Sequence, residues 1–226
     1  MKRLDALRQE VLEANLALKE KNLIISTWGN VSVYDAESGV MIIKASGVPY
    51  DSMGLDDMVA VDRDGQVIDS AKRPSSDTPT HLYLYRHFAG EGVRSIVHTH
   101  SQYATIWAQS CLPLPCYGTT HADYFHGPVP CTRQMSDEEI RERYEENTGK
   151  VIVEALAHTN PIHTSAVLVA SHGPFTWGKN PADAVFHAEV LEYVAKMGLY
   201  NRLLTPGIES AKESLSDKHY FRKFGP

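Results

Sequence analysis

The order of strand-like runs near the start of the chain constrains its fold most. "VSVYD" (31–35) and "GVMIIKAS" (39–46) read as two strands separated by a turn. "MVAVDRDGQVID" (58–69) reads as a hairpin with Asp64-Gly65 at its tip, a two-residue turn signal. Strands joined by hairpins favour an antiparallel or mixed sheet over a doubly wound parallel one. No G-x-G-x-x-G follows a strand, so a dinucleotide site is not expected.

Helices alternate with the later strands. Leu4, Leu7, Val11, Ala14 and Leu18 follow the step of one helical face at the N-terminus. "SSDTPTHLYLYRHF" (75–88) starts a helix, with Pro79 at its first position and Thr78 or Asp77 as cap. "VRSIVHTH" (93–100) reads as a strand and "SQYATIWAQS" (101–110) as the helix that follows it. Ser136 and Glu139 form a capping-box pattern for a helix running to about Leu156. "SAVLVASHG" (165–173) is an apolar strand ending in Ser-His-Gly. Asn180 and Pro181 cap and open another helix, with Val185, Ala188, Leu191 and Ala195 on one face. The chain is therefore α/β. With no repeat, low-complexity tract or Gly/Ser linker, residues 1–226 are expected to form one domain.

Composition excludes several functions. The formal net charge is −6 with no Lys/Arg stripe, which argues against a nucleic-acid partner. No apolar run approaches the roughly 20 residues that span a bilayer, and the N-terminal helix lacks the apolar core of a signal peptide. Three cysteines without a C-x-x-C pair read as reduced thiols of a cytoplasmic protein.

Eleven histidines make imidazole chemistry the thread to follow. In "IVHTHSQY" (96–103), His98 and His100 stand two apart on a strand and so share a face, while Thr99 points to the other. Two neutral imidazoles side by side present two lone pairs that a divalent metal satisfies. His172, before Gly173, is the natural third ligand. Asp77 is placed either to be the fourth or to cap the helix it precedes. Nitrogen and oxygen donors in this mixture suit Zn²⁺, with Mn²⁺ or Co²⁺ as alternatives. "GTTHADYFHG" (118–127) is either a polar turn or a proton-transfer element built on Asp123. Gly29-Asn30, Ser46-Gly47 and Ser75-Ser76, with Lys44, supply the amides, hydroxyls and ammonium that a phosphate monoester needs.

Ten blocks in order, from "EANLAL", "TWGNVS", "IKASGV" and "RPSSDTPTH" through "IVHTHS", "ATIWAQ", "GTTHADYFHG" and "PCTR" to "SHGPFTWGKN" and "DKHYFRK", resemble the class II aldolase/adducin family. "SSDTPTH" and "GTTHADYF" look like its L-ribulose-5-phosphate 4-epimerase branch. The resemblance implies a three-layer α/β/α fold around a mostly antiparallel sheet. It implies Zn²⁺ held by Asp77, His98, His100 and His172. It implies that Asn30, Lys44, Ser46, Gly47, Ser75 and Ser76 bind a sugar phosphate, with Thr119, Asp123, Glu145 and His219 as further active-site positions. It also implies a cytoplasmic homotetramer with sites at subunit interfaces. The implied reaction converts L-ribulose 5-phosphate to D-xylulose 5-phosphate by retro-aldol cleavage and re-addition, in arabinose or related sugar-acid catabolism. A class II aldolase and a non-catalytic adducin-like module are the rivals. Two departures stand out. Ala45 replaces the family's proline, which is expected to loosen a loop near the phosphate. The family's tail tyrosine pair, one of which is an acid/base in the neighbouring site, has no match after "RKFGP", and Tyr220 does not align with it.

Overall fold

The computed structural model describes residues 2–225. Helix α1 (Lys2–Glu20) buries Leu7, Val11, Ala14 and Leu18, as its periodicity predicts. Strands β1 (Asn30–Asp35), β2 (Val40–Lys44) and β3 (Met58–Val61) follow as an antiparallel meander, with Ser32 opposite Ile43 and Ile42 opposite Ala60. After α2 (Thr78–Phe88), β4 (Ser95–His98) pairs with β1 so that Asn30 faces His98. The chain continues through α3 (Gln102–Gln109), α4 (Thr119–Ala122), α5 (Asp137–Glu142), α6 (Tyr144–Ala155) and α7 (Pro161–Thr164). It then enters the hairpin of β5 (Ala166–Leu168) and β6 (Pro174–Gly178), and ends in α8 (Pro181–Leu204) and α9 (Glu213–Phe224).

The six strands form one sheet in the order β3-β2-β1-β4-β6-β5, with every neighbouring pair antiparallel. Helices cover both faces, as the three-layer expectation requires. On one face Leu82, Leu84 and Phe88 of α2 and Ile152 of α6 pack on Met41, Ile43, Ile96, Phe175 and Trp177. On the other, α1 and α8 cover Val31, Val33, Ile42 and Val97. Strands covered on both sides lose the polar alternation of a half-exposed sheet.

Several boundaries differ from the sequence reading, each for a local reason. Only Gly65 of the Asp64-Gly65 pair has positive φ (83°), and Gly65 N donates to Asp62 O at 3.1 Å. The hairpin tip is thus a three-residue loop closed by a left-handed glycine, and its return limb keeps one bridge, Val61 to Val67. The predicted strand 93–100 is ordered as a strand only at 95–98, so His100 lies just beyond it. The helix expected from Ser136 to Leu156 starts with the capping box but breaks at Arg143 (φ −138°, ψ 64°). The broken end is satisfied by Asn147, whose Nδ2 donates to Glu139 O at 2.9 Å. The run 165–173 is a three-residue strand followed by a tight loop, in which Val169 N bonds Gly173 O at 2.9 Å. Strand β6, which the apolar pattern misses, then lies between β4 and β5. It is short and opens on a proline, tolerated at the first strand position because Pro174 is needed only as an acceptor there.

Candidate active site

His98 ends β4, and its Nδ1 donates to Pro174 O at 3.0 Å. That bond fixes the tautomer and leaves Nε2 with a free lone pair. His98 Nε2 lies 3.1 Å from His100 Nε2, so the two imidazoles do converge. Thr99 between them is buried and bonds Ser101 Oγ, as expected for the opposite face. His172 comes from the β5–β6 loop, where Ser171 holds positive φ (60°) to turn the chain. Gly173 allows that loop to dock: a Cβ there would sit 2.8 Å from Thr99 O. His98, His100 and His172 thus bring one ligand atom each within 4.8 Å of one another. Zinc–imidazole bonds of about 2.0–2.1 Å in a tetrahedron put ligand nitrogens about 3.3 Å apart. Burial pushes His100 down to about 4 and His172 down to about 3, with His98 adding to both effects. Both rings are therefore neutral near pH 7, the state a metal binds. The donor set fits a divalent cation.

Asp77 does not cap α2. Its carboxylate accepts from Asn30 Nδ2 at 2.7 Å, inside the cleft that the histidines line. Burial works to raise its pKa, but His98, His81 and the Asn30 hydrogen bond outweigh it and keep the carboxyl below its usual range. It stands beside the three imidazoles but outside the set of mutually close ligand atoms. One helical turn on, His81 bonds Ser32 Oγ at 2.7 Å, and one turn further Tyr85 bonds the same oxygen at 2.8 Å. Asp77, His81 and Tyr85 form a polar ladder on one face of α2, matched by Asn30 and Ser32 on one face of β1. The ladder fixes the helix that presents Asp77.

The phosphate-type donors also meet in this cleft of about 420 Å³, which Asn30, Lys44, Ser46, Gly47, Ser75, Ser76 and Glu145 all line. Two segments are laced together: Ser46 N donates to Arg73 O, and Ser75 N to Lys44 O, both at 2.9 Å. Lys44 is buried, and its ammonium meets the carbonyls of Thr27 and Ala45, each at 3.3 Å, and stands 5.2 Å over the Tyr50 ring. Burial lowers its pKa, opposed in part by Asp57. A buried cation with no carboxylate paired to it among the described residues is electrostatically ready for an anion. Ala45 is not loose: its amide donates to Asp57 O at 2.7 Å, a bond proline could not make.

The structure does not bring every predicted residue here. Thr119 opens α4, and Asp123 follows it at the protein surface. Asp123 Oδ1 accepts from His219 at 3.0 Å and from Arg222 at 3.1 Å, while Lys223 stands 3.6 Å from Oδ2. Burial is the largest single influence and works to raise its pKa, but the His219 bond with the Lys223 and Arg222 cations together outweigh it and hold the pKa down. Thr119, Asp123 and His219 line none of the histidine cleft within this chain. Conversely, three cleft residues went unpredicted: Thr27, Trp28 and Tyr144. Tyr144 Oη lies 3.4 Å from His172 Nδ1, placed to orient that ring. Its only sequence signal is its position beside Glu145.

Comparison with known proteins places this geometry. Residues 9–199 match the family described as Class II Aldolase and Adducin N-terminal domain. The L-ribulose-5-phosphate 4-epimerases UlaF of Salmonella paratyphi A and Salmonella typhi are each 50% identical over 220 residues, 97% of this chain and 96% of theirs. A solved L-fuculose 1-phosphate aldolase superposes with a TM-score of 0.80 at 26% identity, covering 97% of this chain and 96% of its own. The aldolase of that name from Glaciozyma antarctica PI12 shares the fold at 17% identity, with a TM-score of 0.77 over 97% of this chain and 82% of its own. An antiparallel sheet covered on both faces, three histidines converging from β4 and the β5–β6 loop, and half-identity across nearly the whole length have one explanation: the chain belongs to the class II aldolase and adducin family.

Proposed function

We propose that residues 1–226 act as one domain that interconverts L-ribulose 5-phosphate and D-xylulose 5-phosphate by inverting C4. The observation that carries this is one cleft holding both a three-imidazole cluster and a buried ammonium without a carboxylate partner among the described residues. The similarity to the UlaF epimerases supports the substrate.

In this reading Lys44, the hydroxyls of Ser46, Ser75 and Ser76, and the Gly47 backbone grip the phosphate. Asn30 Oδ1, buried without a partner among the described residues, accepts from a sugar hydroxyl. His98, His100 and His172, with Asp77, hold Zn²⁺, and Mn²⁺ or Co²⁺ are the alternatives. A divalent ion held there would supply Lewis-acid stabilisation of the negative charge that develops on the carbonyl-bearing fragment. The C4 hydrogen is not acidic, so inversion goes by retro-aldol chemistry. A base takes the C4 hydroxyl proton, the C3–C4 bond breaks, its electron pair moves onto the C2–C3 fragment, and glycolaldehyde phosphate remains. Gripped by its phosphate, that aldehyde turns its opposite face and the C3–C4 bond re-forms. The proton then returns to the C4 oxygen. Asp123 is the base for one face. The chain assembles as a cytoplasmic homotetramer in which Thr119, Asp123 and His219 of one copy complete the cleft of the next, where Glu145 already stands. This reading supports a role in pentose or sugar-acid catabolism, arabinose included.

Purified protein with L-ribulose 5-phosphate should form D-xylulose 5-phosphate, lose that activity to EDTA and regain it with Zn²⁺ or Mn²⁺. Full activity in metal-free protein would refute the proposal. The likeness to L-fuculose 1-phosphate aldolase favours one second reading, a sugar-phosphate aldolase, which free glycolaldehyde phosphate accumulating in the same assay would establish.

A further inference from the structure

We propose that Trp28 is the apolar wall of the cleft and packs its indole against the carbon face of the bound sugar, a reading that rests on the sugar-phosphate function above. The loop carrying it is held from several sides. Ser26 and Gly29 both take positive φ, 56° and 84°. Gly29 has no room for a side chain, since a Cβ would lie 2.9 Å from His98 O and 3.1 Å from Ile24 Cγ2. Trp28 N donates to Ile25 O at 3.1 Å, Tyr50 Oη to Gly29 O at 3.0 Å, and Lys44 Nζ to Thr27 O at 3.3 Å.

A loop fixed this firmly chooses where its indole goes. The other two tryptophans, Trp107 and Trp177, are 3% and 0% exposed, whereas Trp28 is 55% exposed. A single exposed apolar side chain is ordinary. A tryptophan pinned over a cleft is not, because positive-φ backbone is spent on keeping the ring out of the core. The ring centroid stands 5.7 Å from that of His100, tilted by 52°. Thr27 and Gly29, its chain neighbours, line the cleft with it. The cleft gives the substrate's phosphate and oxygens their donors, and Trp28 is the broad apolar surface beside them. A sugar presents C–H bonds on one face, and a flat aromatic ring buries them without competing for hydroxyls.

Such packing is made equally before and during bond cleavage, so it belongs in KM. Trp28→Ala should raise KM for L-ribulose 5-phosphate about tenfold with kcat within about threefold, and Trp28→Phe should recover most of the loss. Thermal melts unchanged from the parent protein exclude misfolding. Fluorescence gives a readout apart from turnover. Substrate added to chelator-treated protein should blue-shift or quench the emission, and Trp28→Phe, left with two buried indoles, should show no such change. Kinetics of Trp28→Ala within twofold of the parent would overturn the inference. So would substrate binding seen by calorimetry with unmoved parent emission. Emission already blue without substrate, and shifting red on dilution into dissociated chains, would show that a second copy covers Trp28 and would overturn it too. Parent protein that neither binds nor converts the substrate would refute the functional reading itself.

Discussion

The histidine cleft and the Asp123 patch are opposite kinds of polar site. The cleft gathers imidazoles, a carboxylate and a buried ammonium. Burial holds His100 and His172 neutral, the Lys44 ammonium faces two carbonyls and the Tyr50 ring, and the geometry is fixed by strands, a docked hairpin loop and the ladder on α2. The patch is wet and charged. Asp123 lies between a histidine and two cations on α9, near the surface. Exposed pairs of this kind contribute little to stability, while a partly desolvated donor set has a large differential for a bound ion or anion. The lesson is that one chain packs convergent nitrogen and oxygen donors into a cleft in the first region and sets a carboxylate among a histidine and two cations in the second.

The largest effect expected from breaking that contrast is at the cluster. His100→Ala should cost at least about a thousandfold in kcat/KM, since several kcal/mol of charge stabilisation go with the ion, and metal content by elemental analysis should fall with it. Asp123→Asn should lower kcat about a hundredfold or more while metal content stays near that of the parent. Loss of metal in that variant would erase the distinction between the two regions. Tyr144→Phe tests the orientation of His172 and should weaken metal affinity about tenfold in chelator competition, with the melting temperature of metal-free protein unchanged.

The smallest effect is in stability against pH. Burial holds His81, His100 and His172 well under the ordinary value of 6.5, to about 3, 4 and 3. The unfolded chain then binds more protons than the folded one below pH 6.5, so stability falls as the pH drops from there toward 4. For fully buried His81 the loss is roughly 1 kcal/mol at pH 5.5. Asp123, whose folded pKa is depressed, contributes stability that is lost only as the pH falls below about 3.8. Denaturant unfolding of metal-free protein between pH 7 and 5 should therefore show a decline, which His81→Phe reduces and Asp123→Asn leaves alone.

What the sequence carried was local and periodic. The early hairpins announce the antiparallel sheet, the Asn180 cap marks α8, and the same-face rule pairs His98 with His100. Asn180 Oδ1 does accept from Asp183 N at 2.9 Å. Strand β6 escaped because five residues opening on proline, with aromatics at Phe175 and Trp177, have no signature apart from their tertiary neighbours. The break at Arg143 escaped because its compensating bond comes from Asn147, four residues on. Spacing also cannot tell whether Asp77 caps or faces the cleft, a choice made by Asn30 on strand β1. Nor does it show that Asp123 and His219, 96 positions apart, meet each other and not the histidines of their own chain.

The docking of Gly173 on Thr99 has one more consequence. The separation between His172 and the His98–His100 pair is set where two stretches of main chain touch, with no side chain between them. The spacing of the three histidines therefore depends on a backbone contact more than on the size of the core side chains around the sheet. A methyl group added at that one contact would push the His172 loop away from the other two histidines.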